Sequence, residues 1–253
     1  MTRRRFYAPP EAFAPDRTSV TLSAEETRHL RDVLRLTMGD VVHVFDGEGR
    51  EFRCEISEVA RDSAQLNVIE EADAARPESP LKLTLAVALL KGERFDLVVQ
   101  KATELGITSM IPIITSRADV KIKSDDEAGR KIARWRRIVL EATKQCGRAH
   151  LMKIEAPINF ANLISDRADT DELRLMFAER AGDLFENALE APAARQKNVL
   201  ALIGPEGGFS DDEIDQAREA GWMIITLGGR VMRAETAAIA ITSLLQHRFG
   251  DLK

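Results

Sequence analysis

Val199-Leu-Ala-Leu-Ile203 runs into Gly204-Pro-Glu-Gly-Gly-Phe-Ser210. A short helical stretch later comes Ile224-Ile-Thr-Leu-Gly-Gly-Arg-Val-Met-Arg-Ala-Glu-Thr-Ala237. An apolar run of five bounded by turn residues suits a buried parallel strand. Ser210-Asp-Asp-Glu213 spells a capping box, so a helix is expected from Asp211, with Ile214 and Ala217 inward and Gly221 as its stop. A second strand, Met223 to Leu227, ends in Gly228 and Gly229 and feeds another helix, whose apolar stripe is Ala237, Ile241, Leu244 and Leu245. Two strand–glycine–helix units therefore lie in tandem. Glycine at the C-terminal end of a strand lets a ligand approach the backbone, and ligands of open α/β sheets bind at that edge. Neither loop carries the Gly-Lys-Ser/Thr of a phosphate loop or the Gly-x-Gly-x-x-Gly of a dinucleotide site, so an ordinary nucleotide cofactor is not expected.

Upstream, Leu81–Leu90 is a nearly continuous apolar run, expected of a central strand. A helix follows with Phe95, Val98, Val99, Ala102 and Leu105 on one stripe. Lys101 and Glu104 fall off that stripe; they read either as a surface ion pair or as groups near the first strand–helix turn, beside the substrate. Met110–Ile114 is the next strand, and Pro112 argues for an edge position or a strand end. Ser124-Asp-Asp-Glu127 caps the longest helix, whose buried face is Ala128, Ile132, Trp135, Val139, Ala142 and Cys146. Further strands are expected at 152–156 and 173–177, with short helices near 159–165 and 182–190. The β-α alternation implies a mostly parallel sheet covered on both faces.

Residues 1–72 have a different character. Val41–Phe45, the Asp46-Gly-Glu-Gly49 turn and the alternating Phe52, Cys54 and Ile56 read as hairpin strands. Ser23-Ala-Glu-Glu26 caps a helix expected to run toward Gly39. The Pro-punctuated, acidic segment 70–80 reads as a linker. Two domains are therefore expected, a small β-rich module at 1–72 and an α/β domain at 78–253.

Charge narrows the function. The 253-residue chain has a formal net charge of −5, so any nucleic-acid contact must be a local patch. Arg3, Arg4, Arg5, Arg28, Arg31 and Arg35 cluster in the first module, the last three at a spacing that would place them on one helix face. Residues 121–153 hold ten Lys or Arg against four Asp or Glu, with Arg130, Arg134, Arg137, Lys144 and Arg148 as candidate phosphate contacts. Two distant cysteines and four scattered histidines show no metal-ligand spacing, so no metal is expected. A reducing cytosol is expected, and no run is long and apolar enough to span a membrane.

Ile203-Gly-Pro-Glu-Gly-Gly-Phe209 and Leu227-Gly-Gly-Arg-Val-Met-Arg-Ala-Glu-Thr-Ala237 resemble the two carboxy-terminal motifs of the SPOUT methyltransferases, most closely the ribosomal RNA small-subunit methyltransferase E family. The likeness extends to Arg4-Arg-Phe-Tyr7, Gln100-Lys-Ala-Thr-Glu-Leu-Gly106, Gln145-Cys-Gly-Arg148 and Arg248-Phe-Gly-Asp251. It implies a PUA-like RNA-binding first domain, and a SPOUT domain in which residues 199–250 thread a trefoil knot. It also implies a homodimer and S-adenosylmethionine as methyl donor. The donor would be held by Phe177, Ile203, Gly204, Gly207, Gly208, Leu227, Gly228, Val231, Met232 and Ala237. The implied substrate is a uridine of small-subunit ribosomal RNA, free or in the assembled subunit, methylated at N3. Because N3 normally bears a proton, a base or a charge stabilising the anion is needed. Arg233 is the candidate for the charge, Glu235 and Glu104 for the base, and Lys101 for an assisting role. Two alternatives stay open: a SPOUT enzyme acting on transfer RNA or a ribose hydroxyl, and a non-catalytic RNA-binding ribosome-assembly protein.

Overall fold

The computed structural model describes residues 3–166, 172–185 and 197–253. The chain forms two units, Met1–Glu78 with Leu140–Leu151, and Ser79–Val139 with Met152–Lys253. The return of residues 140–151 to the first unit has no signature in the sequence pattern.

In the first unit, β1 (Arg5–Tyr7), β2 (Ser19–Leu22), β3 (Val41–Phe45), β4 (Glu51–Val59) and β5 (Ala64–Ala72) form one sheet in the order β1-β3-β4-β5-β2. The alternation in β3 and β4 sends Val42, Val44, Phe52, Cys54 and Ile56 into a core with Phe6, Leu30 and Leu66. Burial pushes the Cys54 thiol up to about 12, as befits a small core residue. The β3–β4 turn is closed by the Asp46 carboxylate, which accepts the Glu48 and Arg50 N–H groups at 2.8 and 3.1 Å.

The helix after Ser23 is shorter than expected. α1 spans Ala24–Arg28 and passes into a single π turn, His29–Val33. Leu34 N–H closes that turn on the His29 carbonyl, and Arg35 then takes a left-handed φ of 53°. The wider turn shifts the angular phase and the helix stops before Arg35, so Arg28, Arg31 and Arg35 do not share one helix face.

Arg5 is also not a free cation. Its side chain is 6% exposed and donates to the fully buried Glu51 at 2.9 Å. The same guanidinium reaches the carbonyls of Thr143, Lys144 and Arg148 and lies over the Phe45 ring. Lys144 pairs with Glu26 at 2.8 Å and Arg148 with Glu78 at 2.7 Å, both largely buried. These three cations brace the first unit internally.

In the second unit, β6 (Lys82–Ala88), β7 (Ser109–Ile114), β8 (Lys153–Ile154), β9 (Ile158–Asn159), β10 (Leu173–Phe177), β11 (Asp183–Leu184), β12 (Asn198–Ile203) and β13 (Met223–Thr226) form an all-parallel sheet. The order is β11-β13-β10-β12-β6-β7-β8, with β9 also beside β7. The helices are α2 (Arg94–Glu104), α3 (Asp125–Cys146, whose residues from Leu140 on belong to the first unit), α4 (Phe160–Asp166), α5 (Asp211–Glu219) and α6 (Ala234–Phe249). One face of the sheet is covered through Phe160, Leu163, Ile214 and Ala217 of α4 and α5. α2 and α6 pack on each other, burying Phe95, Val99, Ile241 and Leu245.

Two local expectations change. Pro112 lies mid-strand in β7, one place in from the sheet edge. Its missing N–H faces the outer side, as the Met110 carbonyl does in accepting Glu155 N–H. The outer partner is broken there into β8 and β9, paired with residues 109–110 and 113–114, so no ladder bond is lost. Asp183–Leu184, expected to be helical, is a strand beside β13; residues 186–190 of that expected helix lie outside the described residues.

Removing Glu51 would leave Arg5 buried beside carbonyls alone. Glu51→Ala is expected to lower the unfolding free energy by about 3–5 kcal/mol, measured by urea denaturation followed by circular dichroism.

Candidate active site

The C-terminal ends of β10, β12 and β13 open into one pocket of about 380 Å³, within the range of small-molecule sites. Phe177, Ala178 and Glu179 form one wall. The second is Ile203–Glu206 with Gly208 and Phe209, and the third runs from Ile225 to Arg233. Ala234, Ala237 and Ile241 of α6 complete the lining. Gly228 and Gly229 hold φ near +70°, which a side chain would strain. A Cβ on Gly204 would meet the Phe209 ring at 2.9 Å, so the absence of a side chain there allows strand and ring to close together.

The first glycine loop is fixed from its far side. Ser210 caps α5 by accepting Glu213 N–H at 3.2 Å, and Glu213 returns the bond to Ser210 N–H at 2.9 Å. The other Glu213 oxygen accepts Ser116 N–H at 2.8 Å. Arg117 donates to the carbonyls of Gly207 and Phe209. Arg180 donates to Asp211 in the first turn of α5, holding that carboxyl below its usual range.

Of the ten residues expected to hold the donor, Phe177, Ile203, Gly204, Gly208, Leu227, Gly228, Val231, Met232 and Ala237 line the pocket. Gly207 does not; it packs against Arg117. Arg233 occupies the N-cap of α6 with its side chain free of capping duty, exposed at the pocket lining. Glu235 sits in the first turn of α6, behind the lining, with its side chain 12% exposed.

Lys101 and Glu104 are not brought to the pocket. They pair with each other at 2.8 Å near the C-terminal end of α2. The strand–helix turn lies at the N-terminus of α2, and Glu104 is ten residues further on, about 15 Å at 1.5 Å per residue. At that far end the Leu105 carbonyl accepts from Gln246, near the end of α6. The two helices thus share one end at the pocket and the other away from it.

What sequence reasoning missed at the near end is Arg94. It opens α2 and donates to Glu206 of the first glycine loop at 2.8 Å. The signal was available, since Gly92-Glu-Arg94 follows the C-terminal end of β6, where the ligand-edge rule applies. Arg230 and Glu179 line the pocket as well.

Among the candidate RNA contacts, Arg3 reaches Glu51 and the Asp73 carbonyl, Arg28 the Ala24 carbonyl, and Arg31 Asp32 and the Arg61 carbonyl. Arg3 and Arg28 are exposed, as are Arg4 and Arg35, and Arg31 is half-buried. On α3, Arg130, Arg134 and Arg137 are exposed, with Arg134 engaging Asp96. Among the described residues no His, Cys, Asp or Glu cluster could hold a metal ion, and no helix is long and apolar enough to cross a membrane.

The parallel sheet ending in this three-loop pocket is that of an RNA methyltransferase, the domain family that residues 77–246 match. Residues 77–246 match the RNA methyltransferase domain and residues 22–69 the RNA methyltransferase PUA domain. The ribosomal RNA small subunit methyltransferase E of a Synechocystis strain is 35% identical over 219 residues, covering 87% of this chain and 70% of that protein. Its Bacillus subtilis counterpart is 29% identical over 231 residues, 90% of each chain. Two solved structures superpose along the whole chain. One is a putative methyltransferase from Legionella pneumophila in complex with SAM (34% identity, TM-score 0.87, 100% of both chains). The other is a ribosomal RNA small subunit methyltransferase E from Neisseria gonorrhoeae bound to S-adenosyl methionine (29%, 0.86, 100% of both). The chain belongs to the ribosomal RNA small subunit methyltransferase E family.

The loop brace predicts an order of effects. Ser210→Ala should cost about 1 kcal/mol, an ordinary lost cap. Glu213→Ala removes the shared carboxylate acceptor of the Ser116 and Ser210 N–H groups, and each hydrogen bond to a charged group contributes roughly 1.5–3 kcal/mol. Urea unfolding of both variants should therefore rank Glu213→Ala well below Ser210→Ala in stability.

Proposed function

We propose that this protein methylates N3 of a uridine in small-subunit ribosomal RNA, with S-adenosylmethionine as donor. The observation that carries the reading is the pocket shared by the ends of β10, β12 and β13, built from both glycine motifs. Its lining suits the donor. Gly204, Gly228 and Gly229 admit a ligand to the backbone, and Phe177, Leu227, Met232 and Ile241 offer apolar surface. When bound, the donor supplies an electrophilic methyl group on a sulfonium.

The chain's own residues supply the rest. Arg233, exposed beside the pocket, stabilises the uracil anion once N3 has lost its proton. Glu235 reaches the site only by way of Arg94, and Glu104 is too far along α2 to take part. N3 lies on the pairing edge, so the base enters unpaired or flipped out. Arg130 and Arg137 of α3, with Arg4 and Arg35 of the first unit, provide exposed charge for ribosomal RNA phosphates.

The same reading assigns RNA binding to residues 1–72 and methyl transfer to 78–253, in a cytoplasmic homodimer. Exposed Leu184, Val231 and Leu244 beside the pocket favour a second copy on that face. A knot in residues 199–250 is supported by the path of the chain: β12 leads across β10 to β13, and α6 returns to pack on α2 and β12.

Calorimetric titration should show micromolar binding of S-adenosylmethionine, lost in Gly228→Val. Nucleoside analysis of treated small subunits should show N3-methyluridine. Arg233→Ala should keep the donor affinity and lose at least about a hundredfold in turnover, the scale of one removed oxyanion-type contact. A different methylated nucleoside would point to another RNA target, and absent donor binding to a scaffold role. Arg130→Glu with Arg137→Glu should weaken RNA binding and reduce its salt slope by about one per lost phosphate contact; an unchanged slope would remove α3 from the RNA interface.

A further inference from the structure

One guanidinium touches carboxylates from both glycine motifs. Arg94, at the N-terminus of α2, donates to Glu206 of the first loop at 2.8 Å. Its Nε lies 3.9 Å from Glu235, which follows the second loop by two residues. Glu206 lines the pocket. Glu235 is nearly buried, and its Oε2 has no hydrogen-bond donor. Such an oxygen is costly unless a cation stays beside it, and the N-terminus of α6 adds only part of the compensation.

We infer that Arg94 is a positioning residue for the donor: it ties Glu206, and with it the first glycine loop, to the start of α6 at a fixed separation. The inference rests on the proposal that S-adenosylmethionine occupies this pocket. Arg94 is 43% exposed, and an ion pair so exposed adds little to global stability. Its consequence falls instead on the spacing of two pocket walls, since β12 and β13 are not neighbours and β10 separates them. Arginine suits this task better than lysine because its planar fork can serve two carboxylates at once.

The test is a double-mutant cycle read by calorimetry and steady-state kinetics. Arg94→Ala should weaken S-adenosylmethionine binding about tenfold, the scale of one charge-assisted hydrogen bond. The KM for small subunits should be unchanged. Glu206→Gln should lose a comparable factor, and the double variant should lose no more than either single change. Arg94→Lys should recover only part of the affinity. Unchanged donor affinity in Arg94→Ala, or losses that multiply in the double variant, would overturn the inference while leaving the donor site intact. Failure of the unaltered protein to bind S-adenosylmethionine would overturn the donor-site reading, and this inference with it.

Discussion

Phe177 is paired with Ile203 on one side and with Ile225 on the other, and Ile203 is paired in turn with Val87. This register of four parallel strands brings β6, β10, β12 and β13 to an end at nearly the same height. Every wall of the pocket begins at one of the last three, and α2 begins just beyond the first. Parallel pairing fixes register through evenly spaced bonds along the whole strand. A slip of one residue would turn each inward side chain outward. The buried apolar runs of β6 and β12 make such a slip prohibitive, so the glycine loops inherit a common origin from the core below them.

The same parallel order explains the polarity of the second unit. α2, α4, α5 and α6 each start beyond the end of a strand and run back down the sheet. Helix N-termini, with their exposed N–H groups and partial positive charge, therefore collect around the pocket. Arg94, Arg233 and Glu235 lie at that end, and Lys101, Glu104 and Gln246 at the other. A residue's distance along its helix is in effect its distance from the chemistry.

Much of this was legible in sequence because it is local. The capping box at Ser210 and Glu213, the glycines after β12 and β13, and the apolar runs each depend on residues a few places apart. What escaped depends on through-space partners. Arg5 and Lys144 look like free cations until Glu51 and Glu26 are seen beside them. Arg94 and Glu206 are 112 positions apart. Pro112 was read correctly as a missing donor but assigned to the wrong strand position, since nothing local says that the neighbouring strand is interrupted opposite it. Arg35 was lost to a π turn, which no periodicity rule anticipates. Lys101 and Glu104 were drawn toward the site by their motif, although helix polarity alone would have excluded them.

The strands that end the large sheet are each very short. β8 and β9 on one side and β11 on the other contribute two residues apiece. Long flat sheet margins are templates for uncontrolled strand addition, and an eight-stranded parallel sheet that folds slowly through distant contacts would be exposed to that hazard. Here, among the described residues, neither margin presents more than a brief row of open backbone groups. The rows along β8 and β9 are further broken by the Ala156-Pro157 step between them. A nascent chain whose central strands are almost wholly aliphatic is thereby given poor ground on which to aggregate.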